Sequence, residues 1–243
     1  MNSTGERFWG VIPAAGVGSR MTARRSDPLP KQYLSLRGRR VIEHSLEAML
    51  ECGALESVMV ALNPEDKNAQ NMPCFDNVKV RQTLGGATRA ESVLAALLAL
   101  AEFADESDWV VVHDAARPCV PVEDIRKLIA AVKDTGVGGV LAEAIVDTVK
   151  LAYEDGKVVK TLNRNHLWRA QTPQVFRLGL LTKALQEAIE TRQPITDEAS
   201  AMESAGHSVQ IVAGSSRNLK ITVPEDLALA EFYLSSEQAH CDN

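Results

Sequence analysis

Residues 109–112 read Trp-Val-Val-Val and run directly into His113, Asp114, Ala115, Ala116 and Arg117. A strand that is apolar at every position has no face to give to water, so it belongs in the middle of a sheet covered on both sides, as parallel sheets are. The segments around it agree. Phe8–Pro13 reads as a second buried strand, Val41–Leu50 as a helix stopped by Gly53, and Ser57–Leu62 as another strand. Val78–Val80 reads as a weak third strand, Arg89–Phe103 as an Ala- and Leu-rich helix, Val122–Lys133 as a helix and Val140–Val146 as a strand. Strands alternating with helices at this spacing predict an α/β fold: an open, mostly parallel twisted sheet with helices on both faces.

The rhythm changes after residue 146. Thr148–Ala152 and Lys157–Leu162, joined by Asp155-Gly156, predict a β-hairpin. Residues 147–171 carry too few apolar side chains to form a core, so they read as an extended arm that packs on a second subunit. Helix returns at Leu178–Glu190 and Asp197–Ala205, then a strand at Val209–Val212. A last helix opens at Pro224 with Glu225 and Asp226 in its first turn, where the helix dipole favours acids. With no repeat and no low-complexity linker, the 243 residues read as one domain.

Charge narrows the partners. Lys and Arg number 26 against 32 Asp and Glu, a formal charge of −6. Such a chain lacks the broad cationic face that nucleic acid requires, so anionic partners are limited to small molecules met by local clusters. Cys52, Cys74, Cys119 and Cys241 are widely and irregularly spaced, which predicts free thiols in a reducing compartment. The first ten residues have no apolar signal core, and no run approaches the ~20 apolar residues of a membrane span. The expected location is the cytoplasm.

Two clusters carry chemistry. Ala14-Ala15-Gly16-Val17-Gly18 follows the first strand, and Arg20 and Lys31 come after it. Small side chains let backbone N–H groups approach a phosphate closely. The loop is not a Walker A motif and lacks the third glycine of a dinucleotide fingerprint. Asp114 stands at the carboxyl end of the apolar strand, where open α/β sheets bind ligands. One carboxylate together with substrate phosphates is a usual way to hold Mg²⁺. Arg117 could then meet a second anion, while His113 reads as a packing residue. An ordinary tight turn and a turn-capping aspartate are the structural alternatives.

The motifs PAAGVGSRM, PKQY, GGATRAESV, HDAARP, NRNHLW and TDEAS together resemble the cytidylyltransferases of the non-mevalonate isoprenoid pathway, from about Val11 to Leu234. The stretch Thr22–Leu29 is longer than some relatives carry. The resemblance implies a Rossmann-like nucleotidyltransferase fold, a homodimer, Mg²⁺, and transfer of CMP from CTP to 2-C-methyl-D-erythritol 4-phosphate. It implies that Pro13, Ala14, Ala15, Gly16, Gly18, Gly85, Gly86, Ser92 and Ala115 hold the nucleotide. It implies metal binding by Asp114, and acceptor contacts from Asp114, Arg117, Thr148, Arg164, Thr172 and Thr196. Arg20, Lys31, Arg164 and Lys220 are then the catalytic cations, with Thr148 and Arg164 delivered to the neighbouring subunit.

Three other readings remain open on the residues. The acceptor could be ribitol 5-phosphate or a sugar 1-phosphate. The chain could be a nucleotide-binding module without catalysis. A dinucleotide-dependent oxidoreductase is disfavoured by the missing glycine.

Overall fold

A computed structural model describes residues 6–16, 29–69 and 72–241. Its frame is a seven-stranded sheet. The strands are β1 (Phe8–Pro13), β4 (Leu55–Leu62), β5 (Val80–Leu84), β6 (Trp109–Val112), β7 (Gly139–Ala144), β10 (Trp168–Arg177) and β11 (Gln210–Ala213), in the spatial order β11-β7-β10-β6-β1-β4-β5. Pairing is parallel between β1 and β4, β1 and β6, β4 and β5, and β7 and β11. β10 alone among these runs antiparallel to both of its neighbours. The expectation of a mostly parallel sheet holds.

Alternating side chains feed two cores. Phe8, Ile12, Trp109, Val111, Val58 and Val60 point to one face. There they meet α1 (Val41–Glu51) and α3 (Val122–Thr135) through Ile42, Leu46, Ile125 and Leu128. Trp9, Val11, Val110, Val112 and Phe176 point to the other, against α2 (Arg89–Leu100), α4 (Leu178–Glu190) and α5 (Glu198–Ser204). The Trp109–Val112 run is buried throughout because both of its faces are covered. A third, smaller cluster seats α6 (Glu225–Cys241) on Leu34, Leu36 and Val41 through Ala230. A short hairpin of β2 (Ser35–Leu36) and β3 (Arg39–Arg40) leads into α1.

Several boundaries depart from the sequence expectation. The strand expected at Val78–Val80 runs from Val80 to Leu84, and Val78 is fully exposed. An asparagine-led turn displaces it: Lys79 N donates to Asn77 Oδ1 and Val80 N to Asn77 O. The helix expected to reach Phe103 ends at Leu100 in a tight turn. α1 stops where expected, since Gly53 takes a left-handed φ of 72° just past the cap. The hairpin forms from β8 (Lys150–Ala152) and β9 (Val158–Thr161), with Gly156 at φ 82° in its turn.

The largest difference is β10. The arm expected over 147–171 ends inside a central strand: the polar run Gln171-Thr172-Pro173-Gln174 lies in the middle of the sheet. A proline argues against a central strand because it removes a ladder donor. Here the register against β7 slips between Ala170 and Gln174, and the irregularity absorbs Pro173. The segment 147–171 therefore comprises the β8–β9 hairpin, a connecting turn, and the first residues of a central strand.

Close packing around β10 yields a stability test. A Cβ at Gly138 would sit 2.2 Å from Phe176 Cδ1 and 3.0 Å from Val175 O. Overpacking of this kind costs about 1–3 kcal/mol. Gly138→Ala is expected to lower the unfolding free energy measured by urea titration by that amount, against little change for Asp134→Ala on the exposed end of α3.

Candidate active site

Parallel strands end together, so the loops after β1, β4, β5 and β6 share one rim. At its centre Asp114 has 6% of its surface exposed. Three cations reach it. Arg89 Nε lies 2.9 Å from Oδ1, Lys220 Nζ 2.8 Å from Oδ2, and Arg117 Nε 3.5 Å from Oδ2. Burial pushes this carboxyl up, but Arg89, Lys220 and Arg117 outweigh burial and hold it well below the usual carboxylate range. Asp114 is therefore ionised at any physiological pH.

Its backbone is fixed as tightly. Asp114 N–H donates to Thr172 Oγ1 at 3.0 Å. The Thr172 hydroxyl pairs with His113 Nδ1 at 3.1 Å, and His113 Nε2 with Arg117 O at 3.1 Å. The self-consistent assignment has the threonine donating to Nδ1 and the imidazole carrying its proton on Nε2. His113 is thus a packing residue, as the sequence suggests, and also the brace that aims Thr172. Burial pulls its pKa down from 6.5 to about 4.

Lys220 is brought in by the segment after β11. Ile221 N–H donates to Ala116 O, and the fully buried Asn218 donates through Nδ2 to Thr172 O at 2.7 Å. Gln171 Nε2 donates to Ser215 O at 2.9 Å, closing the same seam. Arg117 donates from a terminal nitrogen to Asn218 O at 2.7 Å. Arg117, expected to meet a second anion, is 9% exposed, and its guanidinium spans Asn218 O and Asp114. Thr172, expected at the acceptor, is likewise buried with its hydroxyl engaged by Asp114 and His113.

The small-residue loop starts where β1 ends at Pro13. Ala14 N–H continues the ladder to Ala61 O. Gln32 Nε2 donates to Ala14 O at 2.8 Å and Gly16 O at 3.1 Å, and Asn63 Nδ2 to Ala15 O at 3.3 Å. These amides hold the carbonyl side of the loop. Among the described residues nothing lies within 4 Å of where a Cβ on Gly16 would stand, and its φ is not left-handed, so glycine's value here is clearance. Gly18 and Arg20 lie outside the described residues. Lys31, beside Gln32, opens a single helical turn. Burial raises the Asp226 carboxyl, but N–H groups of Val223 and Thr222, the Thr222 hydroxyl and the charge of Lys31 hold it below the usual range. Lys31 therefore lies within electrostatic reach of Asp226.

Gly85 and Gly86 form the turn before α2. A Cβ on Gly85 would sit 2.6 Å from Ala15 Cβ, and one on Gly86 2.3 Å from Glu91 Cβ. Ser92, expected to touch the nucleotide, is buried and donates to Thr88 O at 2.8 Å. It shapes the turn. Ala115 is buried, and its carbonyl accepts from Ser45 Oγ at 3.1 Å. Thr196 is exposed at the rim of a cavity of about 350 Å³ floored by Arg89 and Glu198. Thr148 and Arg164 stay on the arm; both are exposed, and Arg164 donates to Val146 O at 2.6 Å. Neither shares a hydrogen bond or ion pair with the Asp114 cluster among the described residues.

A family model for 2-C-methyl-D-erythritol 4-phosphate cytidylyltransferase, IspD, matches residues 9–236. The chain belongs to this cytidylyltransferase family. A cytidylyltransferase of that name from Pseudomonas entomophila (strain L48) is 47% identical over 221 residues, 90% of this chain and 92% of the relative. One from Ectopseudomonas mendocina (strain ymp) is 49% identical over 223 residues, 91% and 93% of the two chains. The crystal structure of Francisella tularensis 2-C-methyl-D-erythritol 4-phosphate cytidylyltransferase superposes with a TM-score of 0.79 at 34% identity, covering 94% of this chain and 100% of that one.

Among the described residues of this cytidylyltransferase-family chain, no group of three or more His, Cys, Asp and Glu side chains could hold a metal. Both oxygens of Asp114 already face Arg89, Lys220 and Arg117, so a magnesium ion carried mainly by substrate phosphates would have to share this carboxylate with them. No helix is long and apolar enough to cross a membrane. Sequence reasoning missed Gln32, Asn63, Asn218 and the Arg89–Glu198 pair. The available signal was a glutamate inside an otherwise helix-forming, small-residue stretch, Glu198 to Ala201, which ends up 1% exposed.

The His113 brace predicts a pH dependence. The unfolded chain protonates His113 below 6.5, whereas the folded chain resists until about 4. Acidification through that window favours unfolding. From pH 6.5 to 5 the wild type should lose about 1.5 kcal/mol more than His113→Gln, because the unfolded chain goes from half to almost fully protonated at this group. Urea titrations at the two pH values measure this difference; parallel losses would place the titration elsewhere.

Proposed function

We propose that the chain transfers CMP from CTP to 2-C-methyl-D-erythritol 4-phosphate, giving 4-CDP-2-C-methyl-D-erythritol and pyrophosphate for isoprenoid precursors. The observation that carries this reading is the buried Asp114 carboxylate with Lys220 Nζ at 2.8 Å, at the strand ends beside the Ala14–Gly16 loop. The match over residues 9–236 favours this acceptor over ribitol 5-phosphate.

The chemistry needs little more than placement and charge. An oxygen of the acceptor's phosphate attacks the α-phosphorus of CTP, and pyrophosphate leaves. A phosphate monoester is already a nucleophile, so neither a covalent enzyme intermediate nor a general base is required. The barrier is the approach of two polyanions. Lys220, Lys31 and Arg20 supply positive charge at the reacting centre. The loop after β1, held from behind by Gln32 and Asn63, cradles the triphosphate with its N–H groups. The turn at Gly85 and Gly86, shaped by Ser92, takes the nucleoside. A magnesium ion bound by Asp114 and the triphosphate would neutralise charge on the phosphates.

The arm supports a homodimer. Leu151, Tyr153, Val158 and Val159 are exposed apolar residues on the hairpin, which is two strands thick and has no core of its own. Packing on a second copy would cover them and carry Thr148 and Arg164 to the neighbour's acceptor site. The reading places the enzyme in the cytoplasm.

Pyrophosphate release from CTP with the methylerythritol acceptor, beside ribitol 5-phosphate, tests the reading; preference for ribitol phosphate would refute it. Lys31→Ala and Lys220→Ala should each lower kcat by about 10²–10³, the size seen on losing one transition-state charge donor. Arg164→Ala should raise the acceptor KM more than the CTP KM, measured by initial rates with each substrate varied in turn.

A further inference from the structure

Arg89 lies within the nucleotide-side turn, yet its side chain leaves that turn altogether. It is the first residue of α2, after the N-cap Thr88, whose hydroxyl accepts from Glu91 N–H at 3.1 Å. Its guanidinium forks two ways. Nε donates to Asp114 Oδ1 at 2.9 Å, and the two terminal nitrogens donate to Glu198 Oε1 and Oε2 at 2.6 and 3.0 Å. Glu198 opens α5 beside Asp197, whose carboxylate accepts from Gln174 Nε2 at 2.8 Å and Ser200 N at 2.9 Å. Gln174 in turn accepts from Ala199 N–H at 2.8 Å through its Oε1. A single side chain thus joins the turn before α2, the aspartate after β6 and the Thr196–Ser200 segment to one another.

Both carboxylates that Arg89 joins are buried, Asp114 at 6% and Glu198 at 1% exposure. A planar fork can serve both at once; a lysine ammonium, a point charge, has no matching geometry. The division of labour on Asp114 is clear. Arg89 takes Oδ1, while Lys220 and Arg117 approach Oδ2.

We propose that Arg89, anchored by Glu198, is a positioning residue for the transfer reaction: it fixes Oδ1 of Asp114 so that Oδ2 stays paired with Lys220 and holds that ammonium where the phosphates react. The same link keeps the nucleotide-side turn and the Thr196–Ser200 segment in one geometry. The inference rests on the transfer reading above.

Arg89→Met alone would strand Glu198 as a buried, unpaired charge and endanger the fold. The test therefore compares Arg89→Met/Glu198→Gln with Glu198→Gln, which keeps the Arg89–Asp114 contact. The readouts are thermal midpoint, kcat and KM with CTP and the methylerythritol acceptor, and calorimetric binding of magnesium–CTP. The expected result is similar thermal midpoints, with kcat lower in the double variant by about 10- to 100-fold, the usual effect of removing a partner of a metal-ligating group. Binding of magnesium–CTP should weaken in parallel. Should the double variant fail to fold, Arg89→Lys carries the test, and its kcat should fall by the same order. Equal kcat and equal binding in the two compared variants, or wild-type kcat in Arg89→Lys, would overturn the inference while leaving the transfer reading intact. A wild-type chain without turnover would overturn both.

Discussion

A carboxylate taken out of water stays charged only if positive groups come to it, and Asp114 is the point on which this structure turns. Burial alone would protonate it. Arg89 from the start of α2, Arg117 from its own turn and Lys220 from the segment after β11 prevent that. Each cation arrives on a different stretch of chain, so satisfying one buried charge fixes the relative placement of three loops. That placement is also what a reaction between two phosphates requires: cations held near one another by an anion that keeps them from flying apart.

The supporting architecture is a polar strand where an apolar one would be expected. β10 carries Gln171, Thr172 and Gln174 into the interior, and each side chain is matched by a specific partner. Such a network costs more than an apolar core if any member is left unpaired. It also does what apolar packing cannot. Thr172 aligns the backbone at Asp114, Gln174 fixes the start of α5, and Gln171 and Asn218 seat the Lys220 segment. The network carries precision from the sheet to loops that have no regular structure.

The arm follows a different logic. Its two strands bury nothing in a single chain, and its apolar side chains face outward. A site split between a rigid rim and an arm shared with another copy would let the rim hold the nucleotide while the arm selects the acceptor. On the proposed reading, Thr148 and Arg164, both exposed, would do that selecting.

Local pattern was enough for much of the fold. β1 and α4 fall at Phe8–Pro13 and Leu178–Glu190, as their periodicity predicts, because helix and strand spacing is written in neighbouring residues. The position of Asp114 at a strand end was legible for the same reason. By contrast, the sequence could not place β10 in the sheet, because its polar residues and proline look like surface until their partners are known. Nor could it pair Arg89 with Glu198, 109 positions apart, or show that Arg117, Thr172 and Ser92 turn inward to brace the site. The sequence by itself determined the elements, the chemical inventory and the family. The tertiary structure decided which charges meet, because a buried ion's partners are chosen by three-dimensional proximity and the cost of leaving it alone, neither of which has a local signature in the chain.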